Sequence, residues 1–172
     1  MKKKIIINTF AFSFIALLLF VAYNCNSDSP ILNPTGGDTG VISGTITFVD
    51  SNFGLSTVGY YDIAAFTNWP PTGPPSADDS LVITKVGNEW HGSYSMAGVN
   101  NGRYFIAVGW RRITGGASPV MGIYGCDTAH VPPVGNSTCP IDTSQMQKVI
   151  INNNSAPNVN FLSWADTTKR IF

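Results

Sequence analysis

Catalysis requires nucleophiles, proton carriers or metal ligands that converge in space, and this chain is sparing with all three. Its 172 residues include two histidines, His91 and His130, and three cysteines, Cys25, Cys126 and Cys139. Cys126, Asp127 and His130 fall within one short stretch. In a reducing compartment that spacing would suit a thiol nucleophile or part of a metal site. One histidine and one aspartate fall short of the three or four ligands such a site needs, and Cys126 has a candidate disulfide partner in Cys139. The pair Asp78-Asp79 lacks the Asp-x-Asp-x-Asp-Gly spacing of a calcium loop and is expected in a solvated turn. His91 follows Trp90 in an alternating segment and is expected to face solvent from a strand. No nucleophile–base pair emerges, so the sequence predicts no catalytic residue, no metal and no cofactor.

Aromatic side chains are the remaining binding signal. Trp69, Trp90, Trp110 and Trp164 accompany Tyr60, Tyr61, Tyr94, Tyr104 and Tyr124 in a chain of which only 12% is charged. Exposed rings on a sheet can stack on sugars, which makes Trp69, Trp90 and Trp110 candidate ligand-binding residues. Most such rings serve a core instead. Trp69, at a loop edge beside Pro70-Pro71, is the one expected to be exposed.

The elements that must position these residues are strands. Val41 to Asp50 alternates, with Ile42, Ile46 and Phe48 on one face and Ser43, Thr45 and Thr47 on the other. Tyr60 to Thr67 reads as a second strand, and the Pro/Gly/Ser-rich run that follows, to Ser80, reads as a long surface loop. Leu81 to Val86 and Glu89 to Met96 flank Gly87-Asn88, a hairpin signal. Arg103 to Trp110, Val120 to Tyr124, Lys148 to Asn152 and Val159 to Trp164 complete the set. Seven or eight short strands with no helical period between them predict an all-β fold, an antiparallel Ig-like or transthyretin-like sandwich over residues 41–172.

The N-terminus carries an address. Lys2, Lys3 and Lys4 precede an apolar run from Phe10 to Ala22, the layout of a cleaved export signal over residues 1–24 and shorter than the ~20 residues of a spanning helix. Read from Ile5 to Tyr23, the run is long enough for an uncleaved anchor, and that alternative stands. The segment Val21-Ala22-Tyr23-Asn24-Cys25 resembles the lipobox of bacterial lipoproteins, with Ala22 where leucine is usual and Asn24 where a small residue is usual. The resemblance implies diacylation of Cys25, palmitate included, and a membrane partner reached through that lipid. Residues 25–40, rich in Asn, Ser, Asp, Pro, Thr and Gly, then read as a flexible tether.

Lipidation of Cys25 would leave Cys126 and Cys139 to pair in an oxidising compartment, across a segment rich in proline and glycine. The chain has equal numbers of acidic and basic residues, and loss of the three N-terminal lysines leaves the remainder mildly acidic. That balance argues against nucleic acid, which needs a clustered basic patch. The match of Asn136-Ser137-Thr138 to a glycosylation sequon carries little weight beside a bacterial-type signal.

Two segments resemble a known family. Gly40-Val41-Ile42-Ser43-Gly44-Thr45-Ile46-Thr47-Phe48, then Ile63 to Phe66, and later the run from Gly92 to Val108 are similar to carboxypeptidase regulatory-like domains, transthyretin-like sandwiches of bacterial surface proteins. The resemblance covers roughly residues 40–110, implies no catalytic residue, and places a hairpin corner at Gly98 to Gly102 with Tyr104 turned to the core. The segment from Gly115 to Pro140 departs from it.

The function expected from these readings is a lipid-anchored, non-enzymatic β-sandwich of the cell envelope, an outer-membrane lipoprotein facing periplasm or cell surface. It would act as a surface binding or structural module. A carbohydrate-binding lipoprotein and a subunit of an envelope assembly or filament, joined through strand edges, are the alternatives.

Overall fold

The structure is a computed structural model that describes residues 39–128 and 146–171. The segment expected to be an export signal, most of the expected tether, Cys25, His130, the sequon match and Cys139 lie outside the described residues. Nine strands are present among the described residues, with no α-helix: β1 (Thr39–Phe48), β2 (Gly59–Phe66), β3 (Ala77–Ser80), β4 (Val82–Val86), β5 (Glu89–Asn100), β6 (Gly102–Arg112), β7 (Gly122–Ile123), β8 (Val149–Ile151) and β9 (Phe161–Ser163).

They form two sheets, β4-β5-β1-β9 and β3-β2-β6-β7, with β8 also on β6. All named pairs are antiparallel except β1 with β9. The fold is therefore the expected all-β sandwich, with nine strands in place of seven or eight. Inward-facing Ile42, Ile46 and Phe48 of β1 and Tyr104, Ile106, Val108 and Trp110 of β6 interleave in the core between the sheets. Burial of each such Ile or Val contributes roughly 1.5–3 kcal/mol.

The additional strand is β3. The sequence reading placed Ala77 to Ser80 in a loop and Asp78-Asp79 in a solvated turn; both residues instead pair with β2, Asp78 opposite Ala64 and Asp79 opposite Ile63. Asp79 ties the edge together, its carboxylate accepting from the Ser80 and Ser95 amides at 2.8 Å each. Leu81 alone separates β3 in one sheet from β4 in the other. A single extended run thus changes sheets there and closes this side of the sandwich, as corner strands do.

The corner at Gly98 to Gly102 also differs from expectation. β5 and β6 belong to different sheets and do not pair, so the turn passes the chain between sheets and is no hairpin. β5 continues to Asn100, and Gly98 (φ +69°) absorbs a bulge where two residues of β5 stand opposite Val41. Tyr104 faces the core as expected, and its phenol donates to the Asn100 carbonyl at 2.8 Å, pinning the turn. The β4–β5 hairpin is as expected. Gly87 takes φ +62° while Asn88 does not take positive φ, the pattern of a type II′ turn.

β6 is buried on both faces. Phe105 and Ala107 point away from the main core into a second cluster with Trp69, Ile123, Cys126, Met146 and Ile171. Loops and the C-terminal segment thus cover the outer face of this sheet.

Candidate functional site

The second cluster decides the position of Trp69. The sequence reading expected it exposed beside its prolines, but it is only 8% exposed, packed near Phe66 and Phe105 with ring centroids 6.5 and 6.1 Å away. The physical reason is the outer face of β6, which needs an apolar cover and takes this indole as part of it.

Trp90 and Trp110 are brought together elsewhere, at the end of the sandwich where β1 finishes and β5 begins. There Phe53 packs edge-on to Phe48, Tyr61 and Trp90 at 5.0, 5.6 and 5.1 Å, and Tyr61 packs on Trp110 at 4.8 Å. Trp110 is buried and Trp90 half-buried. Phe53, Tyr61, Trp90 and Trp110, with Leu81 and Ile83, wall a cavity of about 440 Å³. Its origin is topological: β3 covers β2 only from Asp62 to Ala65, and β4 leaves to pair with β5. The first residues of β2 are left without a strand on that side, and the gap becomes the cavity.

Two further cavities adjoin it. One of about 330 Å³ shares Gly54 and Trp110 with the first, and one of about 580 Å³ shares Tyr60 with the first and Arg112 and Ala117 with the second. Concave surface of this size, lined by aromatic and apolar groups with a few polar ones, is the general form of a binding site.

Two loops shape this pole and are held by backbone bonds. The loop before β2 turns through Val58 and Gly59 amides donating to the Leu55 carbonyl at 2.8 and 3.2 Å. The loop after β6 is joined to it by the Ile113 amide donating to Val58 at 2.9 Å, and closes on itself through Arg112 to Gly116 at 3.0 Å. Leu55 (70% exposed) and Ile113 (65%) stand out from these loops, with Val58 and Tyr60 also exposed. The phenol of Tyr61 anchors the base, accepting from Gly54 N–H at 2.9 Å and donating to the Ala165 carbonyl at 2.5 Å. Burial, the largest cause, pushes this phenol up to about 12.

Charge at the pole is uneven. Arg111 is committed to Asp62, whose carboxylate accepts from both Nε and a terminal nitrogen of the guanidinium, with Asp78 at 3.9 Å. Burial raises the Asp62 pKa above the ordinary aspartate value, and pairing with Arg111 offsets this only in part. Oδ1 of Asp62 is buried without a hydrogen-bond partner. Arg112 is exposed and makes no ion pair among the described residues. Lys85 likewise makes none, its ammonium lying 5.5 Å from the Trp90 ring centre.

His91 belongs to a row that sequence reasoning missed. Its Nδ1 is 3.2 Å from the Thr47 hydroxyl and its Nε2 3.5 Å from the Glu89 carboxylate. Hydroxyl, imidazole and carboxylate in series have the components of a nucleophilic relay. The cross-strand register supplies the arrangement, since Thr47 stands opposite His91. These residues sit on a sheet face, and the cavities described above are lined by others. The row is a cross-strand hydrogen-bond set on this sheet.

Among the described residues, no group of three or more His, Cys, Asp or Glu could hold a metal. None of their helices is long and apolar enough to cross a membrane. No family model, curated protein or solved structure matches the chain.

Proposed function

We propose that this chain is a lipid-anchored β-sandwich of the bacterial cell envelope, an outer-membrane lipoprotein held through Cys25, that works as a non-enzymatic surface binding module. Its resemblance to carboxypeptidase regulatory-like domains agrees with an accessory role. The observation that carries the binding reading is the concentration of preformed concave surface and exposed apolar side chains at one pole, around Trp90 and Trp110. That pole is opposite the end where the chain enters the domain: Thr39 pairs with Asn100, whereas Phe48 pairs with Trp90. Along β1 the separation is about 30 Å at ~3.3 Å per residue.

Cys126 is buried in the cluster that covers β6, and a disulfide to Cys139 would fasten the segment between them to that cover, contributing about 3 kcal/mol on the chain-entropy model. Mass spectrometry of the full chain from membranes tests the anchor. A diacylated N-terminal Cys25 is expected, and an unmodified Cys25 would overturn the lipoprotein reading. Thiol counting under denaturing conditions, without reductant, should find no free cysteine in the mature chain.

A further inference from the structure

We infer that the outer face of the β3-β2-β6-β7 sheet carries a small pocket for an aliphatic ammonium group, with the carboxylate of Asp62 as its acceptor and that of Asp78 as a second charge at its rim. Neither Trp90 nor the lipid anchor takes part, so the inference stands independently of the function proposed above.

The pocket follows from the alternation of the strands. Tyr61, Ile63 and Ala65 of β2 face the core, so Asp62, Ala64 and Phe66 face outward, with Asp62 opposite Gly109 and Ala64 opposite Ala107 on β6. Three neighbouring positions with little or no side chain leave a dent in the sheet. The segment from Ala117 to Val120 walls one side of it, and Phe66 closes the end towards the second cluster. The cavity is about 120 Å³, the volume of about four waters at roughly 30 Å³ each. A short methylene stem fills that space.

The acceptor stands at the other end. Asp62 is only 8% exposed; its Oδ2 accepts from Arg111, and its Oδ1 is buried with no partner among the described residues. A carboxylate oxygen buried without a donor is costly, and a ligand that brings a donor removes the cost. Asp78, half-exposed, stands opposite Ala64 and 3.9 Å from Arg111. The charges that act on Asp62 are one cation, Arg111, and two further anions, Asp78 and Asp79. Asp79 is bonded to the amides of Ser80 and Ser95, neutral donors that leave its charge in place. Arg112 lines the neighbouring cavities and not this one. Three carboxylates thus share one guanidinium, and the surplus is negative.

This balance selects the ligand. A calcium ion takes about six oxygens or more, which an alanine and glycine floor does not supply. A neutral hydroxyl satisfies Oδ1 and leaves the charge. An ammonium answers both, and its methylenes lie on the floor as lysine stems lie along apolar surface.

The test uses the full chain in nonionic detergent, with the amide chemical shifts of Ala64, Ala107 and Gly109 followed by nuclear magnetic resonance at neutral pH. Butylamine should give saturable shifts at millimolar concentration, butanol should bind about tenfold more weakly, and butyrate should not bind. Asp62→Asn should weaken butylamine binding about tenfold and Asp78→Asn about threefold. Glu89→Gln, which removes a carboxylate from the other sheet, should leave it unchanged. Thermal unfolding checks the fold of each variant, and Asp78→Asn, at the rim, carries the test alone where Asp62→Asn fails to fold. A capped peptide with one lysine that shifts the same amides assigns the ammonium to a protein side chain; shifts from butylamine alone assign it to a free amine. Equal binding of butylamine and butanol, binding insensitive to the folded Asp62 and Asp78 variants, an equal loss with Glu89→Gln, or no saturable shift would overturn the inference.

Discussion

The Tyr61 hydroxyl joins two segments far apart in sequence, donating to the Ala165 carbonyl at 2.5 Å while it accepts from the Gly54 amide at 2.9 Å. It is thereby the floor of the pole, because Gly54 leads into the Leu55–Val58 turn and Ala165 belongs to the C-terminal segment. Tyr61→Phe keeps the ring packing on Phe48, Phe53 and Trp110 and removes both bonds. The buried carbonyl loses its donor, so the expected cost is about 1–3 kcal/mol of stability, read as a lower denaturant midpoint with unchanged slope.

Gly59 is required by close approach. A Cβ there would lie 2.3 Å from the Arg111 carbonyl oxygen and 2.8 Å from the Trp110 ring. Gly59→Ala must therefore push β2 from β6 or turn the indole. Destabilisation of about 1–3 kcal/mol is expected, together with a changed tryptophan emission spectrum. Chemical denaturation followed by fluorescence measures both, and a variant as stable as the unaltered chain would show that Trp110 is not held as described.

Much of this fold was legible because it obeys a period of two. Ile42, Ile46 and Phe48 announce which face of β1 is inside, and Gly87-Asn88 announces its hairpin. β3 was not legible, since Ala77-Asp78-Asp79-Ser80 offers a single small apolar residue, Ala77, and no alternation of apolar residues. Its reason for being a strand is the register with β2 and the Asp79 bond to Ser95, both set by distant segments. The burial of Trp69 had a signal that alternation alone obscures. Tyr104-Phe105-Ile106-Ala107-Val108 is a continuous apolar run, as expected of a strand covered on both faces, and such a strand requires a cover from elsewhere. Of the three tryptophans singled out by type, the fold groups Trp90 with Trp110. The exposed residues beside them, Leu55, Val58 and Ile113, come from turn-rich stretches where sequence gives no reason to look for an apolar patch.

Asp62 gives the fold a pH dependence of definite sign. Its carboxylate has a raised pKa because burial disfavours the charge more than Arg111 favours it. The folded state therefore holds this proton more tightly than the unfolded chain does. The associated stability is fully present below the unfolded aspartate value, about 3.9, and is lost as pH rises through the folded value. Asp62→Asn removes this titration. Its stability relative to the unaltered chain should improve as pH is raised from about 4 towards neutrality, as measured by denaturant unfolding at a series of pH values. A difference that is flat with pH, or that falls, would show that the ion pair outweighs burial.

The outer layer on β6 depends on the C-terminus. Ile171 is fully buried, its amide donates to the Val120 carbonyl at 2.9 Å, and it shares a cluster with Trp69 and Phe105. Ile171→Ala removes apolar volume from a layer whose other members come from separate loops. Partial collapse is the only relief, so a loss of about 2–5 kcal/mol is expected. Because this cluster lies on the opposite face of the sheet from the main core, the loss should appear first as faster amide hydrogen exchange in the segment around Trp69 and in residues 120–128. β1 and β5 should exchange as before. Uniformly faster exchange across both sheets would instead mean that the outer layer and the core unfold as one unit.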